Sequence, residues 1–284
     1  MNHGRIRRLM RVLAAIAPLS GVPAVFAAPP APALDTARIE QLTAQEVRPI
    51  AGVRLTPPMG LTSWAAFKMA GKGAVVMGDM VLLEDQVNPV MSTALDNGLE
   101  VTALHNHFFR ESPRVMFMHI GGMGDEATLA AAVGKVFAKI KETAGAKGGG
   151  PRADIDPART SLDTKAIDAA LGWSGELKDG VYKVVMGRET AMHGDTMGGA
   201  MGVNTWAAFA GTDDSSVVDG DFAMLETEMQ GVLKALRAAN IDIVAIHQHM
   251  TGETPRVMFL HYWGIGSTTD LAKGLKAALD TQKR

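Results

Sequence analysis

The sequence predicts an α+β protein made of two tandem β-α-β-β-α repeats behind a signal peptide, and three observations lead there. The chain duplicates itself: Trp64-Ala65-Ala66-Phe67 returns as Trp206-Ala207-Ala208-Phe209, Gly78-Asp79 as Gly220-Asp221, and His105-Asn106-His107 as His247-Gln248-His249, always 142 positions later. One fixed offset means that no insertion entered either copy across this span, which chance does not produce. Within each copy, stretches of strand-like and helix-like periodicity alternate. The composition, 47% apolar with no cysteine, is that of a folding chain. It also excludes a disulfide scaffold, a thiolate zinc site, an iron–sulfur cluster, a cysteine nucleophile and a lipid-bearing cysteine.

Residues 1–27 read as a Sec-type signal peptide. Arg5, Arg7, Arg8 and Arg11 form the basic start, Val12 to Phe26 a mainly small and apolar stretch, and Val25-Phe26-Ala27 a cleavage site. The protein is therefore expected in the periplasm or secreted. Removing the four arginines leaves 24 basic against 30 acidic residues, a mildly acidic balance that sets nucleic acid and anionic lipid aside as partners. No window reaches the ~18 uninterrupted apolar residues of a membrane span.

After a Pro/Ala-rich linker at 28–33, the first repeat covers 34–144, a second linker 145–160, and the second repeat 161–284. In the first repeat Val75–Leu83 is rich in strand formers, and Glu84–Asn97 carries apolar residues at helical spacing up to Gly98. Leu99–His107 and Arg114–Ile120 read as a hairpin turning at Pro113. Asp125–Ile140 reads as an amphipathic helix with Leu129, Val133, Val136, Phe137 and Ile140 inward. With one more strand at the tryptophan, this order suggests a ferredoxin-like sandwich, two of which form a pseudo-twofold pair. Upstream, Leu34-Asp35-Thr36 matches Leu162-Asp163-Thr164 at an offset of only 128. The first copy thus lacks a counterpart of Gly180–Met186, a strand by composition, and the repeats are expected to differ there.

Chemistry concentrates in a duplicated His-x-His-x3-Glu-x7-His. His105, His107, Glu111 and His119 match His247, His249, Glu253 and His261. The copies share 12 identities in the 24 positions from 101 to 124, but only 10 in the 36 from 65 to 100, so this region diverged more slowly than its scaffold. Two histidines separated by one residue at a strand end share a face, about 6.6 Å apart at ~3.3 Å per residue, within reach of a single ion. His119 and His261 join that face only if a bulge or register change turns them to it. Nitrogen plus carboxylate oxygen suits a divalent transition metal, zinc foremost, with copper, iron or manganese as the other candidates. Arg114 and Arg256 either hold a small anion beside the metal or tie down the turn through Glu111 and Glu253. Gly122 and Gly124, with Gly264 and Gly266, precede a helix and either cradle an anion or make a tight turn. Asp79 and Glu84 and their twins stand behind the ligands or cap helices, capping being the expectation for Glu84.

The runs Val101 to His107, Glu111 to His119, Trp64 to Phe67 and Val76 to Glu84 resemble the LppY/LpqO family of bacterial envelope proteins, over roughly residues 34–284. That resemblance implies an envelope location and, the family being a domain of unknown function, no reaction. The chain departs from it in having no cysteine after the signal to carry lipid, and in the shortened first copy. The functional expectation is an exported metal-binding protein. The alternatives are a metal-dependent enzyme acting on a small anion and a metal-free envelope binding module.

Overall fold

The computed structural model describes residues 59–71, 73–144 and 153–282. The segment expected to be a signal peptide, the 28–33 linker, the first repeat up to residue 58 and the linker residues 145–152 lie outside them. The first repeat supplies β1 (Trp64–Ala70), β2 (Gly73–Leu83), α1 (Glu84–Asp96), β3 (Glu100–His105), β4 (Val115–Gly124) and α2 (Glu126–Thr143). The second begins with α3 (Thr164–Leu171), β5 (Glu176–Lys178), β6 (Val181–Gly187) and the small hairpin β7 (Thr190–Met192) and β8 (Asp195–Met197). It continues with β9 (Asn204–Gly211), β10 (Ser216–Leu225), α4 (Met229–Ala238), β11 (Asp242–His247), β12 (Val257–Gly266) and α5 (Thr268–Asp280).

Ten strands make one antiparallel sheet in the order β1-β2-β4-β3-β11-β12-β10-β9-β6-β5. The repeats do not stack as separate layers. They join edge to edge, Leu104 of β3 facing its own counterpart Ile246 of β11, so the four matched strands on each side are arranged symmetrically about that pair. Each repeat threads its last strand between β2 and β3, or between β10 and β11, which the helical crossover joins.

Among the described residues five helices cover one face. Alternation sends Val76, Met80 and Leu82 of β2 and Met118 and Ile120 of β4 towards α1 and α2. These residues share one continuous core with Val218, Phe222 and Leu260 of the second repeat. Local signals place the helix ends. Asp125 caps α2 by accepting from Thr128 N at 2.9 Å, and Gly98 takes a positive φ of 79° just beyond α1. Glu84 is the first residue of α1 and not its cap. The side chain of Gln86 instead accepts from Leu83 N at 2.9 Å, and the matched Glu228 does the same for Leu225 N.

Among the described residues the two ends of the sheet differ, while residues 42–58, where the lengths of the copies part, lie outside them. β6 pairs along β9 from Tyr182 to Gly187, and Phe209 is fully buried. Among the described residues β1 is an edge strand, and its matched Phe67 is 36% exposed.

Candidate metal centre

The helix-free face of the sheet carries the histidines. On β2, β4 and β3 the residues pointing to it are Asp79, His119 and Phe117, and His105; on β10, β12 and β11 they are Asp221, His261 and Phe259, and His247. Regular pairing between Glu100 and Gly121 would set His119 opposite Thr102, on the wrong face. A register shift between Val101 and Ala103 puts His119 opposite Ala103 instead, in line with His105. The same shift recurs between Ile243 and Ala245 and turns His261 to His247. An inserted residue reverses the facing of every side chain beyond it, so the bulge decides the histidine set.

Each bulge is held from the opposite repeat. The Gln230 carboxamide on α4 accepts from Val101 N at 3.0 Å and donates to Val101 O at 2.9 Å. The matched Asn88 on α1 accepts from Ile243 N at 2.8 Å and donates to Ile243 O at 3.2 Å. Backbone groups that the bulge frees from the ladder are thereby satisfied.

In the second repeat Asp221, His247 and His249 each offer a ligand atom, all within 4.8 Å of one another. His249 Nε2 lies 3.3 Å from Asp221 Oδ2. A tetrahedral ion with donors at 2.0–2.1 Å holds neighbouring donors about 3.3–3.4 Å apart, so this pair already stands at coordination spacing. His247 stacks between His249 and His261, with ring centroids 5.1 and 4.7 Å away, while His249 lies on Phe259 at 3.5 Å. Asp221 is only 4% exposed. Its Oδ1 and the Nε2 of His247 are buried without a hydrogen-bond partner, an arrangement that costs free energy until something supplies the missing partner. Burial pushes the Asp221 carboxyl up, against the pull of His261, His249 and His247. Burial likewise holds the His247 imidazole below its ordinary 6.5, Asp221 working against it. A neutral imidazole is the form that ligates.

The family comparison agrees with the repeat. A model described as Domain of Unknown Function (DUF1259) matches residues 40–139 and 165–281, one stretch in each copy. The chain belongs to the DUF1259 family. No curated protein and no solved structure matches it. Both DUF1259 stretches contain the complete Asp, His-x-His and His set, and no helix among the described residues is long and apolar enough to cross a membrane.

The carboxylate that stands with His247 and His249 is Asp221 from another strand, not the Glu253 of the motif spacing. Glu253 Oε1 accepts from Val257 N at 3.2 Å, while its Oε2, like Oε1 of Glu111, is buried without a hydrogen-bond partner. Glu111 is similarly buried, and neither belongs to the three-residue group. Asp221 arrives from β10, directly opposite His261. The sequence signal for it was the invariance of Gly-Asp between the copies. That glycine has its own cause: a Cβ on Gly220 would lie 2.2 Å from the Tyr262 hydroxyl, and one on Gly78 2.7 Å from the Trp64 carbonyl oxygen.

Arg114 reaches Glu84 at 3.7 Å, both largely exposed, and not Glu111. Arg256 lends its carbonyl to Glu226 N. Gly122 and Gly264 lie inside β4 and β12, whereas Gly124 and Gly266 end those strands directly before the capping residues Asp125 and Ser267. A Cβ on Gly122 or Gly264 would press on Leu129 at 3.1 Å or Leu271 at 2.8 Å, so these two glycines let a helix approach the sheet. The helix starts are already capped, by Asp125 and by Ser267, whose hydroxyl accepts from Asp270 N at 3.1 Å. His193, the unmatched histidine of the second copy, sits with Gly194 at the β7–β8 turn, both at positive φ.

Proposed function

We propose that this DUF1259 protein is an exported metal-binding protein of the bacterial envelope, of the LppY/LpqO kind, with its principal centre on the second repeat. Asp221, His247 and His249 supply the ligands, and the stacked ring of His261 stands ready as a fourth. The observation that carries this reading is the pair of buried, unpartnered ligand atoms, Asp221 Oδ1 and His247 Nε2, inside a group already drawn together within 4.8 Å. Two or three imidazoles with one carboxylate favour zinc, with copper(II), iron or manganese as alternatives. The strand order supports reading each repeat as a ferredoxin-like unit whose edge strand has moved to the front.

Elemental analysis of protein purified without chelator tests the proposal, alongside zinc titration of the stripped protein. Wild type should retain or take up metal tightly, and Asp221→Asn combined with His249→Ala should lose that uptake. Equal, negligible metal in both would overturn it. One observation favours a second reading, a metal-dependent enzyme acting on a small anion. The compact group has three protein ligands and the His249 side chain is 34% exposed, the pattern of a centre that keeps one position for water or substrate.

A further inference from the structure

We propose that the first repeat holds a second, separate metal ion, bound by Asp79, His105, His119 and His107, so that the chain carries two mononuclear centres. This deepens the reading above and rests on it. The first-repeat cluster is built from the same rows of the sheet but closes on a different pair. His119 Nε2 and His105 Nε2 are hydrogen-bonded to each other at 3.1 Å, within a few tenths of the ~3.3 Å between neighbouring donors on a tetrahedral zinc. Asp79 Oδ2 lies 4.0 Å from His119 Nε2. Asp79 is 9% exposed, and its Oδ1 is buried with no hydrogen-bond partner, as in the second repeat. His107 lies flat on Phe117, centroids 3.4 Å apart and planes 4° off parallel, and 5.1 Å from the ring of His105. A loop histidine stacked on the strand below it has already lost the rotamer freedom that ligation would otherwise remove.

Strand spacing keeps the two ions apart. Between β4, with His119, and β12, with His261, lie β3 and β11, three spacings or about 14 Å. Continuing the Leu104–Ile246 register by one residue places His105 opposite Ala245 and Ala103 opposite His247. The inner histidines are then diagonal neighbours, with Cα atoms about 7–8 Å apart. The ions therefore sit roughly 8–14 Å from each other, too far for the ~3.5–4 Å of a pair sharing a bridging oxygen. The second repeat fills first, because its carboxylate already stands 3.3 Å from His249 while Asp79 must still close on His119.

The test is titration of the chelator-stripped full chain with zinc, and with copper(II) for pulsed dipolar spectroscopy. Wild type should bind two ions per chain, in two steps. Asp79→Asn with His119→Gln should remove the weaker step alone, and Asp221→Asn with His249→Gln the tighter. Two copper(II) ions should show a dipolar distance of roughly 8–14 Å. A wild type that binds one ion, lost only in the second-repeat variant, overturns this inference and leaves the proposed function standing. Loss of all binding through either variant, or a metal–metal distance under about 5 Å, points to one shared site and also overturns it. No binding by wild type sinks both readings. The wild-type stoichiometry and distance decide the matter even if a variant fails to fold.

Discussion

The two repeats hold the same residue types in the same rows and yet finish them differently. In the second, Asp221 and His249 stand at coordination spacing; in the first it is His105 and His119 that do so. Their outer ends differ too. β9 is paired by β6 and its Phe209 lies in the core, whereas β1 is an edge among the described residues and the matched Phe67 is 36% exposed. One motif on one scaffold is thus set to different degrees, and the carboxylate has closed in the repeat whose β9 is paired on both sides among the described residues.

The largest expected effect tests that difference in surroundings. Phe209→Ala should cost about 3–5 kcal/mol of unfolding free energy, and Phe67→Ala less than about 1 kcal/mol, both read from urea denaturation. Equal losses would mean that β1 is covered as fully as β9. Next come the paired glycines. Gly220→Ala drives a Cβ into the Tyr262 hydroxyl and the Trp206 carbonyl and should cost about 1–3 kcal/mol. Gly78→Ala should cost less, since the atoms it meets beyond Trp64 O, Ile120 Cγ1 and the terminal Cε of Met80, stand 3.1 Å away.

A smaller effect crosses between the repeats. Gln230→Ala leaves Val101 N and O without their partners and should cost about 1–3 kcal/mol. It should also weaken metal uptake by the first repeat, whose bulge it releases, more than by its own. Asn88→Ala should do the reverse. If each variant affects only its own repeat, the carboxamides do not position the histidines.

The smallest effect is on pH. Burial holds the folded-state proton affinity of His247 below its ordinary 6.5, so the unfolded chain binds the proton more readily. The metal-free protein then keeps this contribution above about pH 6.5 and loses it as the pH falls from there towards the depressed folded value. Urea midpoints at pH 7.5 and 5.5 in chelator should differ in that direction, and His247→Gln should narrow the gap.

Much of this was legible beforehand. The helix over 126–143 buries Leu129, Val133, Val136 and Ile140, as its 3.6-residue spacing requires. The hairpin over 100–124 is present, but β3 ends at His105, so that His107 lies in the connection over 106–114 that also holds Pro113. The reach of His119 was not legible, because a bulge adds one residue without any compositional mark, and side-chain facing depends on register alone. Nor was the carboxylate. Glu111 lies near the histidines in the chain, but Asp79 lies near them across the sheet.

Sequence alone determined that there are two copies and the main strands and helices that they share, and it singled out the duplicated imidazoles, because periodicity and duplication are properties of the chain. Tertiary structure decided which acid meets them, which face His119 and His261 take, and that both histidine sets share one sheet. Those depend on strand order and on contacts such as Gln230 to Val101, made between residues more than a hundred positions apart, which no local pattern records.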